Sequence, residues 1–495
     1  MKVRYGAIGL VTTVILLLIS CGKAPGTEST SNAVSSDVVA TIGDYTITKE
    51  QLQTRLSQEV RPKREDIAVP RSVPTAESVL REMVAEKAMA MEGRAAGYLN
   101  EESTADWLEQ VRQRRLIPLL LVAYVDQAVP VSDEQIDEVL QANPQLTREN
   151  ARRQFQSSQA APVLQAYYKG LLEKYHVQKV RDNFVKAARI HQRLLTKPVT
   201  PRGTNVSWIT IVQLHDELSQ EEKDLVLATY DGGKVTLYDW FKAVCQLAPP
   251  SRPKDLSTAA GVEKFLDSAL QPVILMAEAR AQGFDKAPDF VAEMRKTEDT
   301  SAMGLVQGKV NKEVPLPTDE EAKAYYEAHP ERFGSYPNLT MDELWCRDRQ
   351  SAEAVEKMLV DGASVEAVTE AHPEVQVEEA VKAYASDEGF FWNELWAGEP
   401  NGVVGPVRGF GPDGIHWRVV RILKKTPGQV KPFDENIKAR AQTALQTERL
   451  SERMKAYEAE LLDKYPHKIY ADRIADIDPL AVTPAAEGSE APAQR

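Results

Sequence analysis

Cysteine and histidine are scarce in this chain, numbering three and seven among 495 residues. Apart from Cys21 near the start, only Cys245 and Cys346 occur, and they form no CxxC, which excludes a thiol-disulfide redox motif. Their spacing neither requires nor forbids a bridge between them. The histidines are scattered, and neither HExxH nor GxSxG is present, so zinc and serine hydrolysis lack support and no metal site is expected. The stretch Gly304-Leu305-Val306-Gln307-Gly308-Lys309 is one residue short of a phosphate loop, lacks the Ser or Thr that should follow, and lies in a helical pattern. No nucleotide or other cofactor is therefore expected. Basic runs interleaved with aromatics are also missing, and 73 acidic against 60 basic residues leave a net charge of -13, which argues against nucleic acid.

Long apolar runs are missing too, with one exception. Residues 7–19 are uncharged and mostly apolar and follow Lys2 and Arg4, the layout of a signal peptide over residues 1–20. The run is short of the about 20 apolar residues that span a bilayer. It ends in Leu18-Ile19-Ser20-Cys21, which resembles the lipobox of bacterial lipoproteins. The resemblance implies cleavage before Cys21 and lipidation of that residue, and the two or three acyl chains such proteins carry make a lasting anchor. The alternative is a plain secretory signal with an incidental cysteine. Gly22, rather than Asp, follows Cys21, which by the sorting rule of that group implies a periplasm-facing place on the outer membrane. Residues 21–37 then read as a flexible tether.

What is present is a duplication. Val38-Val39-Ala40-Thr41-Ile42-Gly43-Asp44-Tyr45-Thr46-Ile47-Thr48 aligns without gaps on Val226-Leu227-Ala228-Thr229-Tyr230-Asp231-Gly232-Gly233-Lys234-Val235-Thr236. Each copy reads as a strand, a Gly/Asp turn, a second strand and a Thr able to cap the next helix. At nearly the same offset Glu92-Gly93-Arg94-Ala95-Ala96-Gly97-Tyr98 matches Glu278-Ala279-Arg280-Ala281-Gln282-Gly283-Phe284, and Ser132-Asp133-Glu134 matches Thr318-Asp319-Glu320. Between these anchors Val79, Leu80, Met83, Val84 and Ala88 share one helical face, as do Phe265, Leu266, Ala269, Leu270 and Ile274. Met83, Met89, Met91, Met276 and Met303 read as core or, alternatively, as an adaptable client-binding surface.

A fourth correspondence sets Leu171-Leu172-Glu173-Lys174-Tyr175 against Leu461-Leu462-Asp463-Lys464-Tyr465, but in the second copy about 100 additional residues intervene, a domain's length. The expected organisation is a first helical module over 38–196, a linker over 197–221, a second module over 222–336, and an inserted domain over 337–428. Residues 429–470, with Asp434 as helix cap, are expected to return and complete the second module, and 471–495 to be a disordered tail. Residues 206–214 alternate like a strand.

The insert has an α+β order. A strand with Glu343-Leu344 leads to helices carrying Ser351-Ala352-Glu353 and Gly362-Ala363. Then come the turn Gly389-Phe390-Phe391-Trp392, the segment Gly402-Val403-Val404-Gly405-Pro406-Val407, and a last strand opening on Gly414-Ile415-His416. This succession resembles the parvulin-type peptidyl-prolyl isomerase domain, and the flanking modules resemble the chaperone region of SurA-type periplasmic folding factors and related lipoprotein foldases. The resemblance implies a mostly α chain with an α+β insert built on a small antiparallel sheet. It also implies unfolded or nascent exported polypeptides as partners.

Within the parvulin-type pocket the resemblance places His416 at the second of two facing histidines and Glu343 at the first, with no counterpart for the family's Cys or Asp. Trp345, Phe390, Phe391, Trp392 and Trp396 are the expected peptide-binding aromatics, in part shared with an ordinary small core. A carboxylate cannot replace an imidazole in a neutral hydrogen-bond network without adding charge, so isomerase activity is expected to be weak or lost. His416 read blandly is a strand histidine meeting a backbone carbonyl. Three readings stay open: a membrane-anchored folding factor with a degenerate isomerase domain, an active isomerase, and a non-enzymatic lipoprotein dedicated to one partner.

Overall fold

The computed structural model describes residues 35–64, 71–199, 207–411 and 414–481. The leader, Cys21, nearly all of the tether and the tail from 482 lie outside the described residues. Among the described residues two compact units emerge, one within 97–298 and one assembled from those within 35–96 and those within 299–481. Both are mainly helical, and among the described residues no single helix is long and apolar enough to cross a membrane.

The discontinuous unit opens with the hairpin β1 (Val38–Ile42) and β2 (Tyr45–Thr48). Its turn passes through Gly43 at φ 51°, a conformation that costs glycine nothing. Helix α1 (Lys49–Glu59) starts on a reciprocal cap, the Thr48 hydroxyl accepting from the Gln51 N–H while the Gln51 side chain accepts from the Thr48 N–H. Helix α2 (Ala76–Ala95) buries Val79, Leu80, Val84, Ala88 and Met89.

The continuous unit holds α3 (Glu102–Ala128), α4 (Asp133–Ala142), α5 (Arg148–Lys174), β3 (Gln178–Lys179), α6 (Phe184–Thr196) and α7 (Ile211–Glu217). After these come the hairpin β4 (Val226–Tyr230) and β5 (Gly233–Thr236), then α8 (Leu237–Gln246) and α9 (Ala259–Ala281). The second hairpin repeats the first down to its bulge, which falls between Val226 and Ala228 as the other falls between Val38 and Ala40. Trp240, Phe241, Leu266 and Ile274 form the centre of this unit's core with Phe184 and Leu194. Each such aliphatic or phenyl side chain contributes about 1.5–3 kcal/mol by leaving water.

From residue 299 the discontinuous unit resumes within α10 (Pro288–Lys312) and continues through α11 (Asp319–Ala328) and the short strand β6 (Gly334–Ser335). The inserted domain follows as β7 (Asn338–Cys346), α12 (Arg349–Val360), α13 (Val365–Ala371), β8 (Gln376–Ala383), α14 (Trp392–Ala397), β9 (Val403–Gly411) and β10 (Gly414–Thr426). Its antiparallel sheet has the order β8-β7-β10-β9. The chain leaves through β11 (Gln429–Val430), which pairs with β6 as a two-residue neck, and ends in α15 (Glu435–Lys464) and β12 (His467–Ile469). A Cβ on Gly334 would stand 1.8 Å from the Gln429 carbonyl oxygen, so only glycine lets the two strands approach so closely there. Asp434 caps α15 by accepting from the Ile437 N–H.

The return helix does not complete the second repeat. Strand β12 pairs with β1 of the first hairpin, Ala40 opposite Ile469, whereas β3 pairs with β4 of the second, Ala228 opposite Lys179. A matched polar contact marks each junction. Glu92 accepts from Lys464 Nζ at 2.6 Å and from the Tyr465 hydroxyl at 2.7 Å; Glu278 accepts from Lys174 Nζ at 2.6 Å and from the Tyr175 hydroxyl at 2.8 Å. Each front half is therefore joined by the back half of the other copy, and this replaces the expected division at 196 and 222. Because the two donors carry the same contact residues, local sequence matching does not distinguish the exchanged from the unexchanged arrangement.

Two smaller expectations change as well. The expected strand at 206–214 is in its described part a cap and helix: Thr210 accepts from the Gln213 N–H, and Gln213 turns inward to donate to the Leu194 carbonyl oxygen at 2.7 Å. The first part of the expected tail, residues 471–481, is held in place. Ile474 is buried, and Arg473 donates to the carbonyl oxygens of Ser35 and Val38. Replacing Glu92 by Ala is expected to cost about 1–3 kcal/mol. In hydrogen exchange the faster amides should lie in β1 and β12 and not in β3, with Glu278→Ala giving the converse pattern.

Candidate active site of the inserted domain

The geometry follows from the two central strands. Along β7, Leu339, Met341, Glu343 and Trp345 point to one face of the sheet, since alternate residues share a face. His416, Arg418, Val420 and Ile422 of β10 occupy the same face, with Arg418 opposite Trp345 and Val420 opposite Glu343. On the other face Leu344, Cys346 and Val419 pack against Ala352, Val355 and Leu359 of α12. Cys346 is a buried free thiol whose pKa burial pushes up to about 11, which keeps it protonated and inert.

At the middle of the first face lies a charge cluster. Arg418 is 1% exposed; its Nη1 donates to Glu343 Oε1 at 2.5 Å and its Nη2 to Glu388 Oε2. Both carboxylates are 5% exposed, and the guanidinium carbon lies 5.0 Å from the centre of the Trp345 ring. The cation fits because Gly409 of β9 has no side chain: a Cβ there would be 2.2 Å from Arg418 Nε. Burial pushes the Glu343 carboxyl up to about 6, outweighing the opposing pull of Arg418, with Glu388 adding repulsion.

Glu343 and His416 thus share a face without facing each other. Arg418 stands between them along β10 and takes the Glu343 carboxylate, while the His416 ring lies over Gly411 of β9. The aromatic residues divide into two groups. Trp392 is 4% exposed and packs with Leu339, Met341, Val420 and Ile422; Trp396 stacks on it at 5.4 Å with Lys425 Nζ over its ring, so this pair belongs to the core. Phe391 is buried against Phe410 at 5.1 Å, and half-buried Phe390 lies 6.3 Å from each of them. Arg418, Glu388 and Phe410 were not singled out from sequence. The available signal was Arg418 at an inward position of an apolar strand, where a charge requires a partner. Among the described residues no three His, Cys, Asp or Glu side chains converge as a metal would need.

Residues 317–438 match the family model for the PPIC-type PPIASE domain. The chain carries a PPIC-type PPIase domain. The match extends past the inserted sheet on both sides, into α11 and the first turn of α15. No curated protein matches the chain. Among solved structures, one of two SurA-like chaperones described from Campylobacter jejuni aligns at 12% identity over 48% of this chain and 97% of its own, with a TM-score of 0.23. The foldase protein PrsA of Streptococcus pneumoniae aligns at 12% identity over 47% and 93%, TM-score 0.19, and that of Lactococcus lactis at 13% over 50% and 96%, TM-score 0.18.

Removing one member of a buried ionic cluster leaves the remainder uncompensated. Arg418→Met is expected to destabilise the PPIC-type domain by about 3–5 kcal/mol in urea unfolding, and the triple change with Glu343→Gln and Glu388→Gln by much less. Because the Glu343 pKa is raised in the folded state from 4.5 to about 6, its stabilising proton is fully bound below pH 4.5 and is lost as pH rises through 6. Domain stability is expected to fall across that window, and Glu343→Gln to abolish the fall.

Proposed function

We propose that this chain is an extracytoplasmic folding factor, held on a membrane by lipid on Cys21. Its helical units bind unfolded exported polypeptides without ATP, and its PPIC-type domain engages prolyl segments with little or no isomerase turnover. Rotation about a prolyl amide faces a barrier of about 20 kcal/mol, and an enzyme lowers it by twisting the bond in a water-poor pocket. Support for lost turnover comes from one observation, that the centre of the sheet face is filled by the Arg418 guanidinium and its two carboxylates. A twisted amide loses resonance most readily in neutral surroundings, and fixed charges resist the drying of the site. The leader ending at Cys21 supports the anchor, and the PPIC-type domain supports the folding role.

A second reading, an active isomerase, is favoured by the presence of His416 on the same face as Glu343. A protease-coupled assay on a prolyl tetrapeptide separates the two. Turnover close to the uncatalysed rate and indifferent to His416→Ala is expected; turnover that His416→Ala abolishes would establish the enzyme. The chain should also suppress aggregation of an unfolded secreted protein without ATP, and Cys21→Ala should move it from the detergent to the aqueous phase in Triton X-114 partition.

A further inference from the structure

The exposed face of Phe390 already holds a cation. The Arg71 guanidinium carbon lies 5.2 Å from the centre of that ring. Arg71 belongs to the helical part of the same unit, standing just before α2, and donates to the carbonyl oxygens of Glu59 at 3.2 Å and Arg61 at 3.0 Å. Phe390 is itself well positioned. It follows Glu388, which the buried Arg418 grips, and its ring is backed by Phe391 and Phe410. Two residues before Phe390, Glu388 is one of two carboxylates, with Glu343, that share the single positive charge of Arg418. Asp387 and Glu394, on either side in sequence, are exposed. An aromatic face against an acidic background attracts a cation, and a planar, weakly hydrated guanidinium more than an ammonium.

We propose that the Phe390 face is a subsite for a basic side chain, an arginine before a lysine, carried by an extended polypeptide, and that Arg71 fills it when no polypeptide is bound. The inference rests on the reading that the PPIC-type domain engages client segments and adds the class of segment it selects. The bound peptide lays an apolar or prolyl residue near Phe391 and Phe410 and exchanges its own basic residue for Arg71. Arg71 is thus an intramolecular competitor, and releasing it costs part of the affinity for every basic client.

The test uses the full chain in detergent and fluorescent peptides of the form Ala-X-Pro-Phe-Ala, with X as arginine, its uncharged isostere citrulline, lysine, or glutamate, read by anisotropy. A cation-aromatic contact of this kind is worth roughly threefold to tenfold in affinity. In Arg71→Ala the arginine peptide should bind that much better than the citrulline peptide, with lysine between, and in the natural chain, where Arg71 must first be displaced, the preference should be smaller. Arg71→Ala should tighten binding of the arginine peptide severalfold and leave the citrulline peptide unchanged, and Phe390→Leu should erase the preference. Equal binding of the arginine and citrulline peptides, in the natural chain and in Arg71→Ala, overturns the subsite while leaving client binding intact. Failure of every peptide to bind any form overturns the subsite and the client-binding reading together.

Discussion

A guanidinium sealed inside a small β-sheet domain is tolerable only if anionic partners surround it, and the geometry of this domain follows from meeting that demand at Arg418. Glu343 supplies one partner from the neighbouring strand, Glu388 supplies the other from the turn that leads to the aromatic group, and Gly409 leaves the space. The desolvation of three charges costs several kcal/mol per ion, which pairing offsets only while all three are present. Losing one member of the cluster therefore costs more than the intact cluster adds. The cluster joins strand, sheet centre and aromatic turn.

The same economy of partners governs the helical units. Glu92 and Glu278 each accept from a lysine and a tyrosine at the end of a long helix, and each hairpin takes a third strand from the segment just beyond. The repeats are exchanged, so the two ends of the described chain meet: β1 lies beside β12, and Arg473 ties the segment before β1 to the segment after β12. The domain reached through the β6-β11 neck is thereby carried on the unit that also receives the proposed membrane tether.

Much of this was legible beforehand. The Thr48 and Thr236 caps, the glycine turns, the in-register duplication, and the first and last strands of the insert with the two helices after the first are local or periodic signals, read from neighbouring positions. The aromatic cluster was legible only as composition. Helical spacing cannot tell a tryptophan that closes a core, as Trp392 does with Trp396 on α14, from one that walls a pocket, because both are apolar and both point inward. Residues 211–217 show the opposite failure: a short apolar alternation yielded to a single capping threonine and a buried glutamine.

By itself the sequence determined that the chain holds two copies of one helical module and an isomerase-like insert, since repetition and element order are written along the backbone. Which donor meets which acceptor was decided only in three dimensions, because Lys174-Tyr175 and Lys464-Tyr465 offer the same contacts to Glu278 and Glu92. The pairing of Glu343 was decided there too. A carboxylate on a central strand reads as a candidate site group until the fold brings Arg418 beside it and turns it into one side of a buried ion cluster.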